Sequence, residues 1–267
     1  MSASTEEFLA THAVFSLRDA ERQLKPKGGR TAVLERLKYA SSRGRIKQVT
    51  RGIYATVPRG SDPDRFQPDL YLTAAAVRQD TIFCYHSALD LLGTSYSTWQ
   101  QVTVFTARRR VPLTLGGADL LFLSHPAPLA RAKRTSLGLT NVQRMGVILR
   151  VTGSERTLVE GFRTPRLAGG LMEFLASVSG LSVLDFDLLM QVLNAYDERV
   201  LYGAVGWFLE LHRKRFFVEE SVLARLESAV PRSPQYIERS AHGSRLIPRW
   251  NVIVPENVIA GREPDER

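Results

Sequence analysis

The stretch Gly44-Arg45-Ile46-Lys47-Gln48-Val49-Thr50-Arg51-Gly52-Ile53-Tyr54 confines the front of this chain to few folds. Ile46 and Val49 alternate with basic residues, a turn ends at Gly52, and Ile53-Tyr54-Ala55 resumes the apolar run. That is the pattern of a short basic hairpin. Three helical segments precede it. Ser4-Thr5-Glu6-Glu7 has the spacing of a capping box and predicts a helix to about His12, with Phe8 and Leu9 inward. Ser16-Leu17-Arg18-Asp19 repeats the pattern and opens a second helix through about Leu24, which Lys25-Pro26-Lys27-Gly28-Gly29 breaks. Thr31 can cap a third helix, with Val33, Leu34, Leu37 and Ala40 on one face and Gly44 as its stop. Three helices followed by a basic hairpin read as a winged helix-turn-helix over residues 1–58.

The apolar face of the third helix must bury against the first two, which turns its basic side outward. A helix about 10–12 Å wide fits the major groove of duplex DNA. The residues expected to face the groove are Lys27, Arg30, Thr31 and Arg36, while Arg43, Arg45, Lys47 and Arg51 are expected to hold phosphates.

Charge supports a polyanion-binding front. Residues 1–58 hold 11 Lys and Arg against 5 Asp and Glu, residues 59–150 hold 11 against 6, and residues 151–267 hold 14 against 16. A basic front joined to a near-neutral back suggests two duties. The single cysteine, Cys84, leaves no disulfide framework or multi-cysteine zinc site. No apolar run approaches the ~18–20 residues of a membrane-crossing helix, and Met1 to Glu7 shows no secretory signal. A cytoplasmic protein is expected.

Arg59 to Asp64 is polar and rich in turn formers, so a boundary is placed there, with a second domain over 59–267. Within it, 59–151 mixes helices (Leu70–Val77, His86–Gly93) with strands at Ile82–Tyr85, Val102–Thr106, Leu120–Leu123 and Val147–Val151. Residues 152–267 are mainly helical: Glu155–Phe162, Leu171–Val178, Phe186–Tyr196, Val200–Phe216 and Glu219–Ala229, before a terminal strand at Trp250–Val254. The fold class is therefore α+β with a helix-rich C-terminal half.

Arg108, Arg109 and Arg110, and then Arg131, Lys133 and Arg134, are possible secondary basic contacts. Arg213-Lys214-Arg215 sits at a helix end, where cations suit the dipole. His86 reads as a hydrogen-bonded structural histidine, and Arg156 can pair with Glu160 at i, i+4, worth a few tenths of a kcal/mol if exposed. No phosphate-binding glycine loop, serine elbow or metal-spaced carboxylate pair appears. No catalytic residue, metal or cofactor is expected.

With these segments placed, the chain resembles the AbiEi-type antitoxins of bacterial type IV toxin–antitoxin and abortive-infection systems. The matching blocks are Arg51-Gly52-Ile53-Tyr54, Tyr85-His86-Ser87-Ala88-Leu89 with Gly93, and Arg150-Val151-Thr152 leading into Glu155-Arg156-Thr157-Leu158-Val159-Glu160. Pro165 with Gly169-Gly170, Gly206-Trp207-Phe208-Leu209-Glu210 and Arg249-Trp250-Asn251-Val252-Ile253-Val254-Pro255 follow in order. Glu160, where the family commonly has aspartate, and Leu171-Met172-Glu173, where tryptophan and acidic residues are frequent, depart from the pattern. The resemblance implies an N-terminal winged helix that binds inverted repeats in its own promoter and represses the operon. It implies a C-terminal domain that counteracts a nucleotidyltransferase-like toxin, with no stable complex required. Two other readings stay open: a ligand-responsive transcriptional regulator, and a nucleic-acid-acting enzyme targeted by the winged helix.

Overall fold

The computed structural model describes residues 4–108, 110–239 and 243–260. The chain opens with α1 (Thr5–Thr11), β1 (Val14–Ser16), α2 (Leu17–Leu24), α3 (Gly29–Ser42), β2 (Ile46–Thr50) and β3 (Ile53–Thr56). Next come α4 (Leu70–Val77), β4 (Ile82–Phe83), α5 (His86–Leu91), β5 (Gln101–Thr106), β6 (Arg110–Leu115) and β7 (Ala118–Ser124). They are followed by α6 (Ala127–Arg131), β8 (Leu139–Arg144), β9 (Val147–Thr152), α7 (Ser154–Arg163), α8 (Leu171–Ser179) and α9 (Phe186–Tyr196). The last are α10 (Arg199–Leu211), α11 (Arg213–Phe216), α12 (Glu220–Glu227), β10 (Gln235–Tyr236), β11 (Ser244–Ile247), β12 (Val252–Pro255) and α13 (Glu256–Ala260). The class is α+β. No helix among the described residues is long and apolar enough to cross a membrane.

Both expected capping boxes form. Ser4 Oγ accepts the Glu7 amide at 3.2 Å while the Glu7 carboxylate takes the Ser4 amide at 2.9 Å, and Ser16 with Asp19 does the same for α2. The third helix starts earlier than expected. The Pro26 carbonyl accepts the Gly29 amide at 2.9 Å and begins the turn, so Thr31 lies inside α3 and caps nothing. Val33, Leu37 and Ala40 are buried, but Leu34 is 39% exposed and drops out of the expected apolar face. The three pack with Phe8, Leu9, Phe15, Leu24 and Ile46 into one core.

The hairpin of β2 and β3 turns at Arg51-Gly52, with a register shift between Gln48 and Thr50. Gly52 has φ +77°, a backbone that a side chain would strain, so the turn needs glycine there. Sequence patterning did not anticipate β1, three residues being too few to show alternation. It pairs antiparallel with β3 (Val14 with Ala55), giving the order β1-β3-β2.

A six-stranded sheet has the order β6-β7-β5-β4-β9-β8, and a terminal sheet the order β10-β12-β11. The strands β6, β8, β10 and β11 were not anticipated either. β6 opens in the arginine run, β8 carries polar residues on its exposed positions, and the last two are very short. The helix expected over Val200–Phe216 is two, broken at His212. Trp250 belongs to a 3-10 turn ahead of β12 and is fully buried, not a strand residue. His242 and Gly261 onward lie outside the described residues.

The contacts group the chain differently from a linear cut at residue 58. One compact unit holds 1–82, 100–123 and 141–149, and the other holds 83–99, 124–140 and 150–267. In the first unit α4 packs against β1 and β3, so the N-terminal segments share a body with residues well beyond Pro58.

Candidate functional site

The cationic surface of the first unit is built around α3. Burial of Val33, Leu37 and Ala40 turns Thr31, Glu35 and Lys38 to the opposite, exposed side of the helix, since residues three, four and seven apart share a face. Lys38 was absent from the sequence expectation, yet it is exposed and makes no ion pair among the described residues. Its signal was available: it falls seven residues after Thr31. Lys27 is exposed in the turn before the helix.

The remaining expected groups are spread around this axis. Arg30 is exposed and pairs with Glu21 of α2 at 3.2 Å. Arg36 and Arg43 lie on the other flank and line a groove against α1 with Leu9 and Tyr39, and the Arg43 guanidinium sits 5.4 Å from the Tyr39 ring centre. Arg45 and Lys47, expected as phosphate contacts, are engaged within the chain. Arg45 forms a two-bond pair with Glu6, and Lys47 Nζ donates to the carbonyls of Asp64 (3.1 Å) and Phe66 (3.0 Å). Neither engagement was visible locally, because the partners are 39 and 17 or more residues away.

Arg51, at the hairpin turn, is exposed and faces a cleft of about 790 Å³. Arg18, Arg30 and Arg78 also line it, together with Glu21 and Asp80. Arg18 stands exposed in the first turn of α2 and was not singled out from the sequence. Arg78 binds Asp80 through two bonds of 2.8 Å, and the Ala107 amide donates to the same carboxylate at 2.8 Å. The Arg78 bond, seconded by that amide against the cost of burial, holds the Asp80 carboxyl at about 2 instead of 3.8. A carboxyl lowered on folding stabilises the fold above its unfolded value and ceases to do so as pH falls towards the folded one. The thermal-midpoint difference between the parent chain and Asp80→Asn is therefore full near neutral pH. It shrinks from pH ~4 towards pH ~2, and a difference constant across that window would contradict the assignment.

Of the secondary basic groups, Arg108 is exposed in the first unit, and Arg131, Lys133 and Arg134 are exposed in the second. Arg109 lies outside the described residues, and Arg110 is placed by its backbone, at the start of β6.

The second unit holds a set of buried ionisable groups: His86, Glu155, Arg156 and Glu160. His86 is buried, stacked on Trp99 with ring centres 4.8 Å apart, and its Nε2 lies 3.4 Å from Glu173. The Glu155 carboxylate accepts the Asp185 amide at 2.8 Å. The Arg156–Glu160 pair is not the exposed helix-surface pair the spacing suggested: both side chains are fully buried, 2.8 Å apart. Tyr196 donates to Glu160 at 2.5 Å. Burial, and then the Glu160 charge, push the Tyr196 phenol well above its ordinary value, so it remains a donor. Among the described residues no cluster of three His, Cys, Asp or Glu could hold a metal ion.

No family model matches the chain. No curated protein matches it either. Among solved structures it is similar to the RV2827C protein from Mycobacterium tuberculosis, with a TM-score of 0.59 over 93% of this chain and 89% of that one, at 14% identity. At that identity the likeness is one of fold, and the chain shares its overall α+β architecture with that crystal structure.

Proposed function

We propose that the chain is a DNA-binding antitoxin. Residues 1–58 act as a winged helix-turn-helix that represses its own toxin–antitoxin operon, and the rest counteracts a nucleotidyltransferase-like toxin. The element order α1-β1-α2-α3-β2-β3, with sheet order β1-β3-β2 and an outward-facing α3, supports the winged-helix reading. The observation that carries the DNA assignment is where the charge falls. The first unit holds 18 Lys and Arg against 10 Asp and Glu, and the second holds 18 against 17. Eight of the nine net positive charges thus belong to the body that presents α3 and the Arg51 turn, the footprint of a polyanion-binding surface.

In this reading Thr31 and Lys38 on α3 meet base edges, and Lys27, Arg18 and Arg51 hold phosphates. Promoter access is blocked sterically. Affinity comes largely from counterion release and specificity from a few base contacts. Fluorescence anisotropy against a duplex from upstream of its own reading frame tests this. Arg51→Ala should weaken all sequences alike and lower the log–log salt slope by about 0.9. Lys38→Ala should cost about 1–3 kcal/mol of discrimination at one base pair. Affinity that does not fall with salt would overturn the DNA assignment. The antitoxin half is tested by growth rescue when the adjacent reading frame is expressed: removing residues 154–267, all of which belong to the second unit, should abolish rescue, and rescue by the shortened chain would refute it.

A further inference from the structure

We propose that the DNA-contacting face extends beyond the three-helix module, across Arg78 to Arg108 at the turn between β5 and β6, with Asp80 as the residue that positions this extension. The inference rests on the DNA-binding reading of the first unit and deepens it. The cleft beside the Arg51 turn has two walls. One carries Arg18 and Arg51, and the other is the segment after α4 that carries Arg78 and Asp80. Asp80 joins this second wall to the arginine-bearing turn. Its carboxylate takes both Arg78 donors and also the Ala107 amide, and the Thr106 hydroxyl donates to the Arg108 carbonyl at 2.8 Å. Arg108 is therefore held exposed one residue from an amide anchored at the cleft.

An acidic residue in a polyanion-binding surface is unfavourable unless it is neutralised and has structural work. Asp80 meets both conditions: Arg78 neutralises it, and it fixes the backbone of the next turn. The occupant fitted by arginines on both walls of a cleft, with a further exposed arginine tied to one wall, is the phosphate backbone of a duplex, which is contacted without regard to base sequence. Arg18, Arg51 and Arg108 would then follow one stretch of backbone flanking the α3 half-site.

The sign of one substitution separates this from simple electrostatics. Removing the negative charge of Asp80 leaves Arg78 unpaired, and charge alone predicts tighter DNA binding. A positioning role predicts weaker binding, because the turn bearing Arg108 loses its anchor. The experiment uses the full chain and a mixed-sequence duplex of about 30 base pairs, with affinity measured across a salt series. Arg108→Ala should lower the salt slope by about 0.9, Arg108→Lys should retain it, and Asp80→Ala should weaken binding severalfold with a lowered slope. Tighter or unchanged binding by Asp80→Ala, or an unchanged slope for Arg108→Ala at its exposed position, would overturn the proposal while leaving the α3 reading intact. If Asp80→Ala fails to fold, the two Arg108 variants decide alone. A parent chain with no salt-dependent duplex binding refutes the underlying DNA reading instead. Equal affinity for duplex RNA of the same length would overturn the choice of DNA as occupant.

Discussion

Trp250→Ala is expected to lower the thermal midpoint of the second unit by roughly 6–20 °C. Truncating a buried tryptophan costs about 3–5 kcal/mol, and each kcal/mol shifts the midpoint by about 2–4 °C in chains of about 150–250 residues. Trp250 is fully buried against α10, where two glycines make room for it. A Cβ on Gly206 would stand 2.1 Å from the indole ring, and one on Gly203 would stand 2.4 Å from the Trp250 carbonyl. The ring is also tied by polarity: its Nε1 donates to Glu210 at 2.6 Å, and Glu210 further accepts from Arg249. Arg249 reaches Glu220 and Glu227 as well, so the truncation opens a cavity beneath an ion-pair cluster on three acidic groups.

A double-mutant cycle isolates the packing term. Gly206→Ala alone should destabilise by up to about 2 kcal/mol, an overpacking penalty of about 1–3 kcal/mol offset by the roughly 1 kcal/mol that alanine gains over glycine in a helix. In the Trp250→Ala background the clash is gone, and the same substitution should become neutral or stabilising. Additive effects in calorimetry would mean that the indole does not rest on Gly206.

Arg156→Met is the second large effect, about 3–5 kcal/mol lost. The size follows from what remains behind. Arg156 donates through Nε to Glu160 and through Nη1 to the carbonyls of Thr135 (2.8 Å) and Leu137 (3.0 Å). Methionine fills the space but leaves a buried carboxylate whose remaining hydrogen bond among the described residues is from Tyr196, and two carbonyls stripped of this donor. Replacing Glu160 as well removes the uncompensated charge, so Arg156→Met with Glu160→Met should recover part of the loss. Recovery stays incomplete because the carbonyls and the Tyr196 hydroxyl still lack these partners. A single-variant cost of only a few tenths of a kcal/mol would return the pair to the exposed i, i+4 class.

The two variants also locate where sequence reading succeeds and where it stops. The Arg156–Glu160 spacing was visible, but its burial was not, because that depends on α7 being enclosed by residues such as Tyr196 and the segment at 135–138. The Trp250 block was recognisable as a motif, yet its role as the residue seated on Gly206 needed α10 and the 3-10 turn in one place. At the candidate interface the same division holds. Thr31, Lys38 and Arg51 can be placed outward from helical spacing and a turn glycine alone. Arg45 and Lys47 read as phosphate ligands, and their bonds to Glu6 and to the carbonyls at 64 and 66 were invisible to that reading. The strands β1, β6 and β11 were illegible for a related reason: a short or arginine-bearing strand exists only because a partner strand completes its hydrogen bonds.

The sequence by itself determined the local elements of this protein: two capping boxes, the glycine turn of the hairpin, the helix periodicity and the surplus of basic residues. These depend on groups within a few positions of one another, whose geometry the backbone enforces wherever the segment sits. Only the tertiary structure decided which segments share a body, and so which basic residues stand together. By gathering 1–82 with 100–123 and 141–149, it assigned eight of nine net charges to one body and brought Asp80 to the amide of Ala107. Such contacts join residues distant in sequence, and their existence depends on which surfaces are buried together. Local pattern carries no record of that.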